Sequence, residues 1–511
     1  MGLARTRAVS LTGVQGELVE IECDIASGLP GLSFTGLPDA SVMESRDRLR
    51  AALHNCGIEW PNRRITVALL PADVRKVGSR YDLAVAMAVL AAAGTVPAAA
   101  VADTAWIGEL GLDGALRPVR GALPSVLAAR RCGVRRVVVA SANAHEAALV
   151  DGIEVRSAER LVEVIDFLTG SGPALPAAEP TRGTPASAVG GPDLADVAGQ
   201  VAGKRALEIA AAGGHHLFLI GAPGAGKTML AERLPGLLPV LDDRAALEVT
   251  AVHSVVGLLR HNPELVRRPP MQAPHHTASI AALVGGGSNI ARPGAISLAH
   301  HGVLFLDEAP EFSTSALDAL RQPIESGEVV LHRQGGAVRY PARFQLVLAA
   351  NPCACARRPA DCECPPHVRR RHQQRLSGPF LDRIDLRVQV EPVLHADLFD
   401  DGSQREASAV VAARVADARS AAALRWADVG HRTNGTVPGP VLRSARWRPP
   451  PSVTRSLESF LERGTISARG FDRVLRLAWT LGDLAGRDRP VAEDLGEAIY
   501  FRTGQVESWA A

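Results

Sequence analysis

The chain has 511 residues, of which 47% are hydrophobic and 22% charged, a composition that excludes extensive disorder and collagen-like repeats. At about 150 residues per domain, this length accommodates roughly two to four domains. The 56 basic and 54 acidic residues leave a formal net charge of +2, so any nucleic-acid-binding surface has to be local. Seven cysteines are too few for a disulfide scaffold.

Residues 1–170 have the pattern of a mixed α/β domain. Apolar or alternating runs predict strands at Leu18–Ile25, Ile65–Leu70 and Arg136–Val139, and helical spacing predicts helices at Ala40–Asn55 and Asp82–Ala93. The charge-free stretch Leu83–Ala102 has about the length of a membrane span. It is rich in alanine and interrupted by Gly94 and Pro97, so we interpret it as a buried helix that ends near Gly94. With no apolar run typical of a signal peptide, we expect a cytoplasmic protein with no membrane contact.

Residues 171–192 are rich in Pro, Ala, Gly, Ser and Thr and predict a flexible linker. Beyond it, short apolar runs predict buried parallel strands, and longer runs with helical spacing follow from about residue 400. The strands are His216–Ile220, Val303–Leu306 and Phe344–Leu348; the helices are Lys204–Ala212, Glu406–Arg425, Ser452–Arg463, Phe471–Leu484 and Val491–Tyr500. We therefore predict an α/β core over residues 193–400 and a helical lid over residues 401–511.

A glycine-rich loop between an apolar strand and a helix predicts a phosphate-binding site. Its residues are Gly221, Ala222, Pro223, Gly224, Ala225, Gly226, Lys227 and Thr228. Backbone N–H groups of such a loop surround phosphate oxygens, the ammonium group of Lys227 would contact the β- and γ-phosphates, and Thr228 would bind Mg²⁺. The alternative is a glycine-rich turn without a ligand.

Two carboxylates, Asp307 and Glu308, directly follow the predicted strand Val303–Leu306. Carboxylates at the carboxyl end of a parallel strand face the ligand crevice, so Asp307 would bind Mg²⁺ and Glu308 would orient and polarise the attacking water. Asn351 follows the strand Phe344–Leu348 and could position the same water, although a simple turn residue is an equal alternative. The spacing of 80 positions from Lys227 to Asp307 indicates an insertion.

The chain resembles the AAA+ ATPases of the magnesium-chelatase class, and most closely the ComM/YifB family of bacterial chelatase-like proteins. The matching stretches are Gly221–Thr228, Gln272–Gly287, Pro293–Glu311, Arg321–Arg343, Leu376–Asp385 and Ser467–Arg476. The resemblance implies ATP and magnesium as cofactors, with Arg383 as an arginine finger supplied to the ATP of a neighbouring subunit. It also implies that Arg469 is a second sensor arginine in the lid. The alternatives are an ion pair of Arg383 with Asp382 or Asp385 and a simple surface charge for Arg469.

The resemblance also explains the insertion as an extra loop at Gln272–Gly287. Residues Glu328–Arg343 predict a hairpin around Gly335 and Gly336, of the kind that lines the central pore in ring motors of this class. This hairpin carries His332, Arg333, Arg339 and Arg343, which suit a phosphate backbone, although a solvated structural hairpin has the same pattern.

Four cysteines, Cys353, Cys355, Cys362 and Cys364, form two C-x-C pairs separated by six residues. In a reducing compartment this pattern favours a tetrahedral zinc site over disulfides, with reduced metal-free cysteines as the alternative and His367 as a substitute ligand. The run from His367 to Arg375 is the most basic in the chain and suggests DNA contact, although a solvated helix face fits equally well.

The N-terminal domain resembles the Lon-protease-like domain of this family. Alignment places Arg80 at the position of the nucleophilic serine and Leu123 at that of the lysine, so we expect no peptidase activity. Ser79 would be the nucleophile if the alignment were shifted by one residue. The domain is expected to bind DNA or organise the ring, with Lys76 and the Arg46, Arg48 and Arg50 side of one helix as candidates, or simply to present a solvated face.

These observations favour an ATP-driven, ring-forming, hexameric motor that acts on single-stranded or branched DNA. For the family the resemblance implies branch migration or helicase activity during recombination of incoming or homologous DNA. The alternative is a magnesium-chelatase-like motor that remodels a protein partner for metal insertion. A Lon-like protease is disfavoured by the missing serine–lysine pair.

Overall fold

The structure is a computed structural model that describes residues 2–180, 191–260, 263–287, 291–333, 336–357, 361–393, 395–398 and 405–504. The elements of the N-terminal part are strands β1 Gly2–Thr12, β2 Gln15–Ala26, β3 Gly31–Thr35, β4 Arg64–Leu70, β5 Thr104–Ile107, β6 Glu109–Leu110, β7 Leu116–Arg117, β8 Arg136–Ala140 and β9 Glu154–Ala158, and helices α1 Ala40–Asn55, α2 Asp82–Ala92, α3 Ala98–Ala102, α4 Ala122–Arg131, α5 Ala144–Ala147 and α6 Leu161–Thr169.

A seven-stranded mixed sheet organises this part, with strand order β3-β4-β2-β1-β5-β8-β9. Strands β1 and β2 form a long antiparallel hairpin, whereas β1, β5, β8 and β9 run parallel. Alternating burial along β2 and β4 places one face of the sheet against the buried helix α2. The strands and helices predicted for this region from periodicity are confirmed.

Every residue of α2 is buried, and Gly94 follows it with a φ of 80°. The apolar stretch from Leu83 is therefore an internal helix that ends where the sequence indicates. In the part of the chain that the structure describes, no helix is long and apolar enough to cross a membrane.

The first residues of the segment predicted to be a flexible linker, 171–178, pack against the N-terminal sheet. Leu175 is buried in the core of the N-terminal sheet. The backbone of Pro176 and Ala178 forms hydrogen bonds with Ser157 and Val155 of β9. Residues 171–178 therefore cover the open edge of β9, which the low-complexity composition did not predict because only Leu175 carries a large apolar side chain. Residues 181–190 lie outside the described part.

A second group of elements follows the linker. Its strands are β10 Leu217–Gly221, β11 Met271–Gln272, β12 Gly285–Gly286, β13 Arg292–Pro293, β14 Val303–Leu306, β15 Glu328–Arg333, β16 Gly336–Pro341, β17 Gln345–Ala350 and β18 Leu386–Val390. Its helices are α7 Val201–Gly213, α8 Lys227–Ala231, α9 Leu234–Leu237, α10 Asp243–Val256, α11 Ile280–Val284, α12 Ala295–Leu298, α13 Thr314–Ala319, α14 Arg321–Ser326, α15 Pro366–Gln373, α16 Gly378–Leu381 and α17 His395–Leu398.

A five-stranded sheet forms the centre of this group, in the order β11-β14-β17-β10-β18. All four pairings are parallel, and β10, β14 and β17 are buried along their whole length. Apolar cores on both faces explain why these strands are continuous apolar runs in the sequence. The predicted parallel-sheet core of a P-loop protein is confirmed.

A hairpin and an insertion pack against one face of this sheet. The hairpin of β15 and β16 pairs in antiparallel register from Glu328–Pro341 to Arg333–Gly336, as predicted, although residues 334–335 at its turn lie outside the described part. The insertion expected at Gln272–Gly287 contains helix α11 and strand β12, which pairs with β13.

The C-terminal region is helical, as predicted, and its helices are α18 Ser408–Arg425, α19 Gly439–Leu442, α20 Pro451–Glu462, α21 Ala468–Leu484 and α22 Ala492–Ile499. Trp426 and Trp479 pack edge to face within the core that also contains α7 and β10. His215, just before β10, contacts Thr480 of α21 at 2.7 Å. The lid therefore packs against the amino-terminal edge of the parallel sheet.

Helix α10 joins the N-terminal part to the core. Ala251 is buried in the same apolar cluster as Leu123 of α4, and the amide of Gly121 donates to the carbonyl of Ser254 at 3.2 Å. The hydroxyl of Ser254 also donates to the buried carboxylate of Glu146. The four-way division of the chain proposed from its sequence remains a prediction, and this contact shows that the parts are not independent.

Candidate functional site

The phosphate-loop residues lie at the carboxyl end of β10, the fourth strand in the sheet order. Gly224 and Gly226 have φ values of 74° and 94°, which a residue with a side chain rarely adopts. A Cβ at Gly221 would lie 2.3 Å from the carbonyl oxygen of Val390 in the neighbouring strand. The glycines of the motif therefore meet specific backbone requirements, and the loop leads directly into α8.

The ammonium group of Lys227 is held inside this loop. It donates to the carbonyls of Gly221 and Ala222, at 2.8 and 2.9 Å, and to Oδ1 of Asn351 at 3.0 Å. Burial lowers the pKa of Lys227, and the nearby carboxylates of Asp307 and Glu308 oppose this effect. Lysine is the residue type that places a compact positive charge with three donors in a phosphate site.

Asp307 and Glu308 follow β14 at the same edge of the sheet. The hydroxyl of Thr228 donates to Oδ2 of Asp307 at 2.8 Å, which brings together two hard oxygen groups of the kind that Mg²⁺ prefers. Glu308 has a φ of 51°, and its side chain is 52% exposed. Its carboxylate is therefore accessible to water beside the phosphate loop.

Asn351 follows β17, which lies between β10 and β14 in the sheet. It therefore lies at the same edge of the sheet as the phosphate loop and the two carboxylates. Together these residues line a pocket of about 390 Å³ formed by Pro223, Gly224, Gly226, Lys227, Thr228, Met229, Asp307, Glu308, Ala350 and Asn351. A glycine cradle, one lysine, and a threonine–aspartate pair fit a magnesium–nucleotide complex. The structure thus brings together the site residues predicted on three separate strands.

Arg383 does not line this pocket. Leu386 is paired with Leu217 at the amino end of β10, whereas the phosphate loop begins after Gly221 at the carboxyl end. Arg383 precedes Leu386 by three residues, so the length of strand β10, about 15 Å, separates it from the loop of its own chain. Within the chain, Nη2 of Arg383 is 2.6 Å from Oε1 of Glu325.

Arg383 does not form the ion pair with Asp382 or Asp385 that was the alternative from the sequence. Asp382 pairs with Arg502, and Asp385 with Arg473 of α21. The pKa of Asp385 is held well below its usual range, because the nearby Arg473, His215 and His216 outweigh the opposing effect of burial. Sequence analysis missed Glu325, Arg473 and Arg502, since their partners are distant in the chain.

Arg469 also lies outside the pocket. It is an exposed residue in the first turn of α21, and Arg473, one turn later, contacts Asp385 at the amino-terminal edge of the sheet. One turn corresponds to about 5–6 Å along the helix. Arg383 and Arg469 therefore belong to the same side of the core, opposite the phosphate loop.

The four cysteines predicted to bind zinc converge directly after Asn351. Their sulfur atoms all lie within 4.8 Å of one another, and those of Cys355 and Cys362 are 3.6 Å apart. All four are free thiols. A tetrahedral Zn²⁺ with bonds of about 2.3 Å requires sulfur–sulfur separations of about 3.8 Å, so this arrangement fits zinc and no disulfide.

A second cluster that sequence analysis missed contains Glu248, His300 and His301. Nδ1 of His300 accepts a hydrogen bond from the amide of Arg343 at 3.0 Å, so the ring proton is on Nε2, which faces Glu248 at 3.3 Å. A histidine that binds a metal through Nε2 normally donates from Nδ1. The cluster is therefore a hydrogen-bonded network beneath β14.

Two basic surfaces are exposed as predicted. The hairpin presents His332 and Arg333, together with Arg339, which pairs with Glu328 at 2.5 Å. Helix α15, which follows the cysteines, presents Arg369, Arg370 and Arg371. His372 on its inner face is buried, and its Nε2 lies 3.3 Å from the carbonyl oxygen of Asn351. Helix α15 is thus joined to the end of β17.

The N-terminal candidates have structural partners. Lys76 is fully buried and Arg48 binds the buried carboxylate of Asp82 at 2.8 and 3.0 Å, so neither is a free surface charge. Arg80 donates to Ser125 at 3.3 Å, beside Leu123, which is entirely buried. Ser79 donates to Glu109.

Comparison with known proteins agrees with this architecture. The family described as "Magnesium chelatase, subunit ChlI" matches residues 193–398, "Subunit ChlI of Mg-chelatase" matches 21–143, and "Magnesium chelatase, subunit ChlI C-terminal" matches 405–502.

Several relatives match over almost their whole length. An uncharacterised protein of Mycobacterium tuberculosis is 54% identical over 98% of this chain and 99% of its own. The competence protein ComM of Haemophilus influenzae is 40% identical over 98% of both chains, and the uncharacterised protein YifB of Escherichia coli is 42% identical over 98% of this chain and 97% of its own. The chain therefore belongs to the ComM/YifB family of magnesium-chelatase-like AAA+ proteins.

Proposed function

We propose that this protein is an ATP-hydrolysing motor in which each nucleotide site is completed by a neighbouring subunit. The observation that carries this proposal is the position of Arg383, which lies near the amino end of β10, whereas the phosphate loop of the same chain lies at the carboxyl end. An arginine finger has to reach the γ-phosphate, and Arg383 can do so only on the nucleotide of another protomer.

The pocket residues have distinct roles in this proposal. Lys227 and the loop amides bind the phosphates, while Thr228 and Asp307 hold Mg²⁺. Glu308, half-exposed beside the loop, accepts a proton from the attacking water, and Asn351 orients that water. Arg383 and Arg469 of the neighbour stabilise the charge that develops on the γ-phosphate.

Contact between the carboxyl edge of one core and the amino edge of the next joins two different surfaces. Repetition of such a heterologous contact forms a closed ring when the rotations between successive subunits add up to a full turn. Both Arg383 and Arg469 lie on the amino side, so one interface can supply both arginines to one nucleotide. We propose a hexamer as the assembly. The buried guanidinium of Arg383 is already oriented by Glu325 and the carbonyl of Pro379.

We propose DNA, single-stranded or branched, as the substrate that moves through the ring. The support is the pair of exposed basic surfaces, the β15–β16 hairpin and helix α15, since arginine side chains neutralise backbone phosphates. A protein of nearly neutral net charge has to concentrate its positive surface in this way.

The full-length similarity to a protein named competence protein ComM supports a proposed biological role. We propose helicase or branch-migration activity in recombination of incoming or homologous DNA. An alternative is a motor that remodels a protein partner for metal insertion. It is favoured by a 30% identity to the magnesium-chelatase 38 kDa subunit of Rhodobacter capsulatus, over 24% of this chain.

We propose that the protein has no peptidase activity. The side chain of Arg80 cannot act as a serine alkoxide, and Leu123 cannot act as a base. Ser79 is hydrogen-bonded to Glu109 rather than to a lysine or histidine. We propose that the N-terminal part supports the core through its contact with α10.

We also propose that Cys353, Cys355, Cys362 and Cys364 bind one structural Zn²⁺. The sulfur separations support this ligand set, and four protein ligands would leave no open position for catalysis. The metal would tie the segment after Asn351 to the start of α15, next to the contact of His372 with Asn351.

The test is the ATPase rate with and without single-stranded and branched DNA at one fixed salt concentration. Stimulation of ATP hydrolysis by DNA, absent in the Glu308→Gln variant, is the expected result. ATP hydrolysis without DNA stimulation and without DNA binding at low salt would instead support the alternative that acts on a protein partner. Absence of any ATP hydrolysis by the assembled protein would overturn the proposed function.

A further inference from the structure

The segment that carries Arg383 connects helix α16 to strand β18. The amide of Arg383 donates to the carbonyl of Phe380 in α16 at 3.0 Å, and the amide of Leu386, the first residue of β18, donates to the carbonyl of His216 at 3.0 Å. Both ends of the segment are therefore fixed to the core. Residues 382–384 between them belong to neither a helix nor a strand, so their orientation depends on other contacts.

One guanidinium from the C-terminal region contacts the residues on both sides of Arg383. Nη1 of Arg502 donates to the backbone carbonyl of Ile384, and Nη2 of Arg502 donates to Oδ1 of Asp382 at 3.0 Å. The planar fork of an arginine holds two acceptors in a fixed relative orientation. Arg502 therefore restrains the stretch of backbone from which the finger side chain extends.

Arg502 itself is held firmly in place. It lies in the turn Tyr500–Gly504, which follows α22, and only 6% of its surface is exposed. The neighbouring Phe501 is buried in the same apolar core as Val388 of β18. Because this turn packs against the core, the guanidinium of Arg502 has little freedom to move away from the finger segment.

A positive charge at this position is costly. Burial lowers the pKa of Arg502 to about 10, and the positive charges of Arg387 and Arg473 add to this effect, which the carboxylates of Asp385 and Asp382 oppose. A buried charge is retained in a fold when its own hydrogen bonds and ion pairs compensate for the loss of water. The contacts of Arg502 with the finger segment supply this compensation.

We propose that Arg502 is a positioning residue for ATP hydrolysis in the neighbouring subunit, because it holds the arginine finger of its own chain in the orientation that reaches that nucleotide. The inference rests on the proposed function, since it takes Arg383 as a finger supplied to another protomer. The phosphate loop of the same chain lies at the opposite end of β10, so ATP binding there should not depend on Arg502. The helical lid of one subunit would thus support catalysis in the next.

The test compares Arg502→Met, which keeps a long side chain without donors, with Arg502→Lys, which keeps the charge. Arg419→Ala is the matched control, because Arg419 is another lid arginine that donates to a core carbonyl, that of Ala211, at 2.8 Å. For each protein, kcat and KM for ATP, Kd for a fluorescent ATP analogue, the size of the assembly and the thermal midpoint are measured.

Arg502→Met should lower kcat by about 10- to 100-fold, the effect expected when a catalytic group is displaced by about 1 Å. Arg502→Lys should lose less, because its ammonium group can still reach one of the two acceptors. KM, Kd and assembly should stay near the wild-type values in both variants. Arg419→Ala should keep the wild-type kcat even where its thermal midpoint falls as far as that of Arg502→Met.

Mixed assemblies, purified through a different affinity tag on each chain, show which nucleotide site Arg502 serves. Rings of Arg502→Met and Lys227→Ala should recover activity, because the intact finger of the Lys227→Ala chain meets the intact phosphate loop of the Arg502→Met chain. Rings of Arg502→Met and Arg383→Ala should not recover, since neither chain supplies a well-placed finger. A residue with a merely structural role would not follow this pattern.

A wild-type kcat in Arg502→Met would overturn the inference, as would loss of ATP binding or of assembly in both Arg502 variants. Recovery with Arg383→Ala instead of Lys227→Ala would overturn it too, since Arg502 would then act on the nucleotide of its own chain. These outcomes leave the proposed function standing. Rings of Lys227→Ala and Arg383→Ala that assemble and stay inactive would instead overturn the shared nucleotide site, and with it the role of Arg502.

Discussion

The ammonium group of Lys227 donates a hydrogen bond to Oδ1 of Asn351 at 3.0 Å, although the two residues are 124 positions apart. Adjacent parallel strands β10 and β17 place them at the same edge of the sheet. The contact connects the lysine of the glycine-rich loop to the amide proposed to orient water. It therefore predicts how a change at Asn351 affects ATP binding and ATP hydrolysis.

Replacement of Asn351 by Ala should reduce kcat for ATP hydrolysis by about 10²-fold, the effect of removing one polar group directed at a reacting centre. Binding should change much less, because Lys227 keeps the carbonyls of Gly221 and Ala222 as partners. Asn351→Asp should also weaken ATP binding, since it adds a negative charge beside the phosphates. Steady-state kinetics and fluorescent-nucleotide titration measure the two effects, and equal losses of binding in Ala and Asp would contradict this assignment.

Purified protein that has been kept reduced and free of chelators should contain about one Zn²⁺ per chain, as four thiolates at these separations require. Replacement of Cys353 or Cys364 by Ser should lower the zinc content severalfold, whereas Cys132→Ser, at an exposed cysteine outside the cluster, should not. Elemental analysis and the absorption spectrum of cobalt-substituted protein measure this. A metal-free protein with four titratable thiols in the cluster would contradict the zinc assignment.

Exchange of Arg369, Arg370 and Arg371 for Gln should weaken single-stranded DNA binding most at low salt. If all three contact phosphates, the slope of log K against log salt should become less steep by about 2, at about 0.7 per phosphate. Exchange of the same residues for Lys keeps the charge and should keep the slope. An unchanged slope in the Gln variant would show that helix α15 does not contact DNA.

His300 predicts a loss of stability under mildly acidic conditions. Burial lowers the pKa of His300 to about 4, and the amide of Arg343 donates to its Nδ1, which requires the neutral ring. As the pH falls from about 6.5 toward 4, the histidine in the unfolded chain takes up a proton that the folded one refuses, so stability decreases by up to about 3 kcal/mol.

Urea-unfolding midpoints measured across this pH window test the prediction. His300→Gln should flatten the pH dependence, while His301→Gln, which changes the more exposed neighbour, should retain most of it. A pH dependence that is identical in wild type and His300→Gln would assign the acid sensitivity to other groups.

Local periodicity predicted most strands and helices because burial of one face of a strand or helix requires regularly spaced apolar residues within a short stretch of sequence. The run Val303–Leu306 coincides with β14, and the helix predicted at Ala40–Asn55 coincides with α1. The residues of the pocket could also be predicted from the sequence, because they directly follow apolar strands and the carboxyl ends of such strands meet at one edge of a parallel sheet.

Local periodicity does not predict contacts between residues that are distant in the chain. No pattern near Arg383 indicates that Glu325 contacts it, and Lys76 has the appearance of a surface charge although it is fully buried. The contact of His276 with Glu308 depends on how the insertion folds back over β14. Such pairs are determined by tertiary packing, which leaves no periodic signal in either segment.

Mixing two inactive variants, Lys227→Ala and Arg383→Ala, tests most directly whether a neighbouring subunit completes each nucleotide site. The first should lose ATP binding, whereas the second should bind ATP and fail to hydrolyse it, because its finger belongs to the site of its neighbour. In mixed rings, an intact phosphate loop can meet an intact finger at about one quarter of the interfaces, since both partners have to be of the right type. An equimolar mixture should therefore recover ATPase activity well above that of either variant alone. Mixed rings that assemble and remain inactive, or Arg383→Ala protein that hydrolyses ATP at the wild-type rate, would contradict it.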